Sequence, residues 1–168
     1  MDFDISKLVL NNQYVLRFLE IIATDMKQKI QFHYLINSFI LTKRTELKLF
    51  ITSIAVLEGK TIDSVKYIFC KDEYLLNLNY EFLLHDYLTD VITFDLSNHK
   101  GIVTGEIYIS IERVKDNARY LKETFKHELH RVMFHGLLHL CGFKDKTEEE
   151  TLLMRRKEDL YLNKYFIL

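Results

Sequence analysis

Two histidines four residues apart, His135 and His139, lie in the run HGLLHLCGFKD between positions 135 and 145. Residues i and i+4 of an α-helix stand one above the other on one face, so two neutral imidazoles at that spacing reach a single ion without bending the backbone. Gly142 follows the apolar run. It suits the left-handed position that closes a helix. The turn it allows brings Asp145 toward the pair as a third ligand. Three N and O ligands with one position open is the arrangement of a catalytic zinc site. A bare HxxxH describes two hydrogen-bonded histidines on a buried helix equally well. The glycine, the carboxylate and the length of apolar helix favour one zinc ion per chain, held by His135, His139 and Asp145.

The element that must carry the pair starts at Thr124, a good N-cap. From there Leu129, Val132, Met133, Gly136, Leu137 and Leu140 fall on one stripe, the face expected to pack on a sheet. Glu128, Arg131, His135 and His139 lie on an adjacent face, so the ligands flank the core and stay within reach of solvent. Thr147 and Glu150 have capping-box spacing and open a last helix to about Leu162. That gives Glu148, Glu149 and Glu150 a helix-start role at the positive end of the dipole, and Asp145 is preferred to them as a ligand. Cys141 is too close to His139 to complete a tetrahedron. His127 and His130 share the helix off the ligand face and read as exposed or partly buried imidazoles. His33, His85 and His99 read as isolated structural or surface residues.

Upstream, Tyr14, Phe18, Ile21, Ile22 and Met26 approach helical spacing, which predicts an amphipathic helix over 12–28. Strands are expected at 30–34, 65–70, 91–94 and 106–109. Helices are expected at 72–84 and 111–121, and from a cap at Thr42 or Thr45 to about Leu57. Strands mixed with helices, and two consecutive helices at the end, predict one α+β (α/β-like) domain over residues 1–168. It has a small mixed sheet packed against helices, and the metal helix lies near the C-terminus.

At 168 residues and 48% hydrophobic, the chain has the length and composition of one globular domain. A formal charge of −1 gives no global basic signature, so a nucleic-acid partner must be met by a local patch. Residues 113–126 carry five Lys and Arg; a solvated helix face is the default reading, an RNA-backbone surface the functional one. Cys70 and Cys141 set no disulfide framework and suit a reducing cytoplasm. No signal peptide and no membrane span are visible.

The motif HGLLHLCGFKD resembles the HGxLHLxGYDH signature of the YbeY family, single-strand-specific endoribonucleases of ribosomal RNA maturation. Leu78-Asn79, Asp86 and Thr89-Asp90-Val91-Ile92-Thr93-Phe94 follow the family's LN…D…TDVLSF pattern. Gly105-Glu106-Ile107-Tyr108-Ile109-Ser110, followed by Asn117-Ala118, is like its GDIxIS segment and the next helix. The three stand in the family's order, and the likeness spans about residues 43–160, leaving 1–28 as an N-terminal extension. It implies a zinc-dependent endoribonuclease acting on single-stranded RNA in rRNA processing and ribosome biogenesis, with no membrane partner. Thr89 and Asp90 then border the cleft.

Two positions depart from the pattern. Asp145 stands where the family's third ligand is usually His, and it coordinates through oxygen instead. Leu83 stands where an arginine is frequent, so phosphate contact falls to Arg131, nearest on the ligand side of the helix, or to Lys144 and Lys146. Pairing with Glu128 at i−3 is the plainer role for Arg131. Two rival functions are a non-catalytic ribosome-assembly factor with a bound metal, and a metallopeptidase. The peptidase lacks the Glu that zinc proteases carry directly after the first His; that place is Gly136.

Overall fold

In the computed structural model the described residues are 29–167. The helix expected over 12–28 lies outside them. In chain order the elements are β1 (Ile30–Tyr34), α1 (Arg44–Leu57), β2 (Thr61–Cys70), α2 (Asp72–Leu83), β3 (Val91–Asp95), β4 (Ile102–Ser110), α3 (Ile111–Leu121), α4 (Phe125–Leu140) and α5 (Glu148–Ile167).

The strands form one mixed sheet in the order β1-β2-β4-β3. β2 lies parallel to β1 and to β4, and β3 runs antiparallel to β4 with Thr93 opposite Ile107. Successive side chains of a strand point to opposite faces, and β4 follows that rule: Val103, Ile107 and Ile109 are buried, whereas Thr104, Glu106 and Tyr108 are half-buried. The buried face meets α1 and α4, with α5 packed behind α4. The other face is covered in part by α2, through Leu75 and Leu78 against Ile92, Phe94 and Tyr108. The fold is the expected α+β domain with its sheet on helices.

Element ends set by local chemistry stand where the sequence puts them. Thr124 Oγ1 accepts the His127 N–H at 3.1 Å, and Thr147 and Glu150 exchange side-chain-to-backbone bonds at 3.1 and 3.2 Å. Other ends differ. Neither Thr42 nor Thr45 caps α1: its N-cap is Lys43, with φ 49° and no side-chain cap bond. β2 begins at Thr61 and β4 at Ile102, because these two residues pair with each other across the sheet. α5 continues past Leu162 to Ile167, carrying Tyr165 onto Phe50 and Phe134. His130 is buried, stacked on Tyr165, contrary to the exposed or partly buried place expected for it.

Candidate metal centre

The site begins with how closely α4 can approach the sheet. Leu129, Val132, Met133, Leu137 and Leu140 are all buried, as their stripe requires. Between them, Gly136 presents no side chain: a Cβ there would stand 2.6 Å from Ile107 Cγ2 and 3.2 Å from Thr93 Oγ1. The missing methyl lets the helix rest on β3 and β4. His135 and His139, on the neighbouring face, then look along β3 into a cleft.

The end of α4 delivers Asp145 to the two histidines. Gly142 has φ 102°. Its N–H bonds the His139 carbonyl at 2.9 Å, and the Phe143 N–H bonds the Leu138 carbonyl at 3.0 Å, the paired bonds of a Schellman turn. The chain reverses and Asp145 Oδ2 comes to 3.6 Å from His135 Nε2 and 3.5 Å from His139 Nε2, with 2.9 Å between the two Nε2 atoms. A point equidistant from three atoms so spaced lies about 2 Å from each, the length of zinc bonds to nitrogen and carboxylate oxygen. Among the described residues this is the one group of three His, Cys, Asp or Glu side chains with ligand atoms that close together.

Both imidazoles are oriented from behind. His139 Nδ1 donates to the Phe143 carbonyl at 2.9 Å, and His135 Nδ1 to Glu158 Oε1 at 2.6 Å. With each Nδ1 engaged, the Nε2 lone pairs are the ones that converge, which is the outer-shell arrangement of histidine-bound metals. Burial, then the His135 ring beside it, lowers the His139 pKa and favours the neutral form that a metal requires. The residues present thus fit a zinc ion in atom type, spacing and tautomer.

Behind Glu158 lies a network of charges. Arg131 reaches Glu128 at 2.7 and 2.8 Å, Asp90 at 3.2 Å and Glu158 at 3.3 Å. Burial acts to raise the pKa of Glu158, but the His135 and Arg131 contacts outweigh it and hold the carboxyl below its ordinary value. Burial opposes the charge of Arg131 too, and its three carboxylates more than restore it. Asp90 also accepts from Asn117 Nδ2 at 3.1 Å, and Asn79 Nδ2 donates to the Tyr87 carbonyl at 2.8 Å. The separate polar motifs of the sequence therefore meet around one site.

The triad opens on a cleft of about 930 Å³ whose walls include His85, Tyr87, Thr93, Lys144 and Lys146. Arg131 lines it as well, with its charge already shared among three carboxylates. Among the described residues neither Lys144 nor Lys146 has an ion-pair partner for its ammonium. The Cys141 thiol, pushed up to about 12 by burial, stands apart from the triad.

The residue that sequence reasoning missed is Glu158. Nothing in its spacing from His135 announces it. One signal existed: Met154, Tyr161 and Leu162 form a buried stripe on α5, and Glu158 falls within that stripe. A carboxylate on an apolar stripe needs a partner.

Comparison with known proteins agrees with the motifs. The family model described as endoribonuclease YbeY matches residues 23–166. A Cytophaga hutchinsonii protein named endoribonuclease YbeY is 54% identical over 123 residues, covering 73% of this chain and 86% of that protein. A Flavobacterium psychrophilum protein of the same name is 47% identical, covering 82% and 97%. The solution structure of TM1509 from Thermotoga maritima superimposes with a TM-score of 0.57 at 30% identity, covering 82% of this chain and 89% of that one.

Proposed function

We propose a nuclease role on a plain premise: the chain belongs to the endoribonuclease YbeY family, whose model matches residues 23–166. In this reading it is a zinc-dependent endoribonuclease that cuts single-stranded RNA, with ribosomal RNA as substrate during ribosome biogenesis in the cytoplasm. The observation that carries it is the convergence of His135 Nε2, His139 Nε2 and Asp145 Oδ2 in an open cleft, with both Nδ1 atoms tied behind. Zinc held there supplies Lewis acidity and an activated water near neutral pH.

The chain's own groups do the rest. Glu158 holds His135 in the ligating tautomer, and the Phe143 carbonyl does the same for His139. His135 and then Arg131 keep Glu158 ionised, so Arg131 acts by positioning. Lys144 and Lys146, beside the third ligand, offset charge that grows on a phosphate in the transition state.

The peptidase alternative meets a steric obstacle. A glutamate at position 136 would drive its Cβ into Ile107, so α4 could carry that base only by displacing the helix or Ile107.

The test is cleavage of an unstructured RNA, of the same sequence in duplex, and of an unstructured protein. The zinc-loaded chain cuts the single strand alone, chelation stops it, and His135→Ala and His139→Ala are inactive. Unchanged cutting after complete metal removal refutes the proposal. A zinc-loaded chain that binds the RNA and leaves it whole points to the assembly-factor role.

A further inference from the structure

The loop between α2 and β3 holds an aromatic pair that core packing does not account for. His85 and Tyr87 stack with ring centroids 5.0 Å apart and planes 24° from parallel. Tyr87 Oη lies 3.1 Å from His85 Nδ1, and the bond between them fixes the pair. Both rings are exposed, Tyr87 by 59%. Aromatic rings stabilise folds chiefly by burying their large surface. Here that surface is left in water, while the backbone beneath is held in place.

That backbone is pinned from inside. Leu84 turns the chain out of α2 with φ 56°, a conformation that is costly for a branched side chain. Asn79, only 1% exposed, donates Nδ2 to the Tyr87 carbonyl at 2.8 Å, and its own carbonyl accepts the His85 N–H at 3.2 Å. Both rings line the same cleft as His135, His139 and Asp145, together with Lys144 and Lys146.

We infer that the His85–Tyr87 pair is a base-stacking platform: an unpaired RNA base lies on it while the strand's phosphates pass Lys144, Lys146 and the triad. The inference rests on the RNA substrate proposed above. Aromatic faces beside cations are how proteins hold single strands without reading sequence, because every base has a π-face. A base inside a duplex has both faces covered by its neighbours, so the platform admits only an unpaired one. With a net charge of −1 the chain gains little from long-range attraction to phosphates, and stacking supplies affinity that charge does not.

The probe is a labelled twelve-nucleotide RNA without self-complementarity, with and without one abasic position. Its binding to the zinc-loaded full chain is read by stopped-flow anisotropy before turnover. Tyr87→Ala weakens binding about tenfold, the worth of one stacked base. Tyr87→Phe keeps the ring face and loses only the bond to His85, so its binding falls between those of the parent and Tyr87→Ala. Zinc content and melting temperature stay at parent values in both. In cleavage assays Tyr87→Ala raises KM and leaves kcat unchanged. The abasic RNA binds the parent more weakly when the gap meets the platform, and Tyr87→Ala no longer distinguishes it from the intact strand. A parent that binds the RNA beside a Tyr87→Ala chain that binds it equally well overturns the platform alone. A parent that binds no single-stranded RNA overturns the nuclease reading and the platform with it.

Discussion

At the scale of single residues, each histidine of the cluster depends on the group behind it. His135→Ala or His139→Ala is expected to lower zinc to well below one per chain, read by elemental analysis; full stoichiometry in both would refute the site. Asp145→Ala weakens binding, and Asp145→His keeps or tightens it, because imidazole suits zinc at least as well as carboxylate. Glu158→Gln keeps an acceptor for His135 Nδ1 but removes the charge. It should cost about 10–100-fold in zinc affinity, measured by competition with a chromophoric chelator. The grouping of His135, His139 and Asp145 was legible in sequence because their spacing is that of one helix and its closing turn. Glu158 was not, because it reaches His135 from another helix. Arg131 was half legible: its pairing with Glu128 follows from i, i+3 spacing, whereas Asp90 and Glu158 come from elsewhere in the chain.

At the scale of elements, the approach of α4 to the sheet is the controlling distance. Gly136→Ala places a methyl against Ile107 Cγ2 at 2.6 Å, inside contact distance. Either the helix or Ile107 must move. The expected loss is about 1–3 kcal/mol, typical of an overpacked core, measured by urea unfolding. A loss of zinc affinity follows if the helix moves, since the ligands ride on it. Elements bounded by local chemistry, such as α4 from Thr124 and α5 from Thr147, could be read from sequence. The first residues of β2 and β4 could not, because Thr61 becomes strand only by pairing with Ile102. Lys43 likewise caps α1 in a left-handed conformation that no propensity of lysine indicates.

At the scale of the whole molecule, α5 joins distant parts. Lys157 Nζ meets Glu58 Oε1 at 2.7 Å, Tyr161 Oη bonds the same carboxylate, and Tyr165 stacks on His130. Burial lowers the His130 pKa from its ordinary 6.5 to about 4. The unfolded chain therefore binds a proton between these values that the folded chain refuses. Stability from this residue is complete above pH 6.5 and is lost as pH falls toward about 4, on the order of 3 kcal/mol in all. Comparing metal-free parent with metal-free His130→Phe isolates it from the ligand histidines. The difference in unfolding free energy between the two chains should shift across that window, and a difference that is flat with pH contradicts it.

The 2.6 Å bond between His135 and Glu158 runs from α4 to α5. If zinc affinity depends on that bond, zinc occupancy and the docking of α5 are thermodynamically linked, and the linkage is reciprocal. Zinc at a hundred times its dissociation constant can oppose a detachment of α5 that abolishes binding by up to about 2.7 kcal/mol. Amide hydrogens of residues 148–167 that exchange through such openings should then slow by up to about a hundredfold when zinc is added, and by much less in Glu158→Gln. The C-terminal helix would thus report, in its exchange rates, whether the metal is in place.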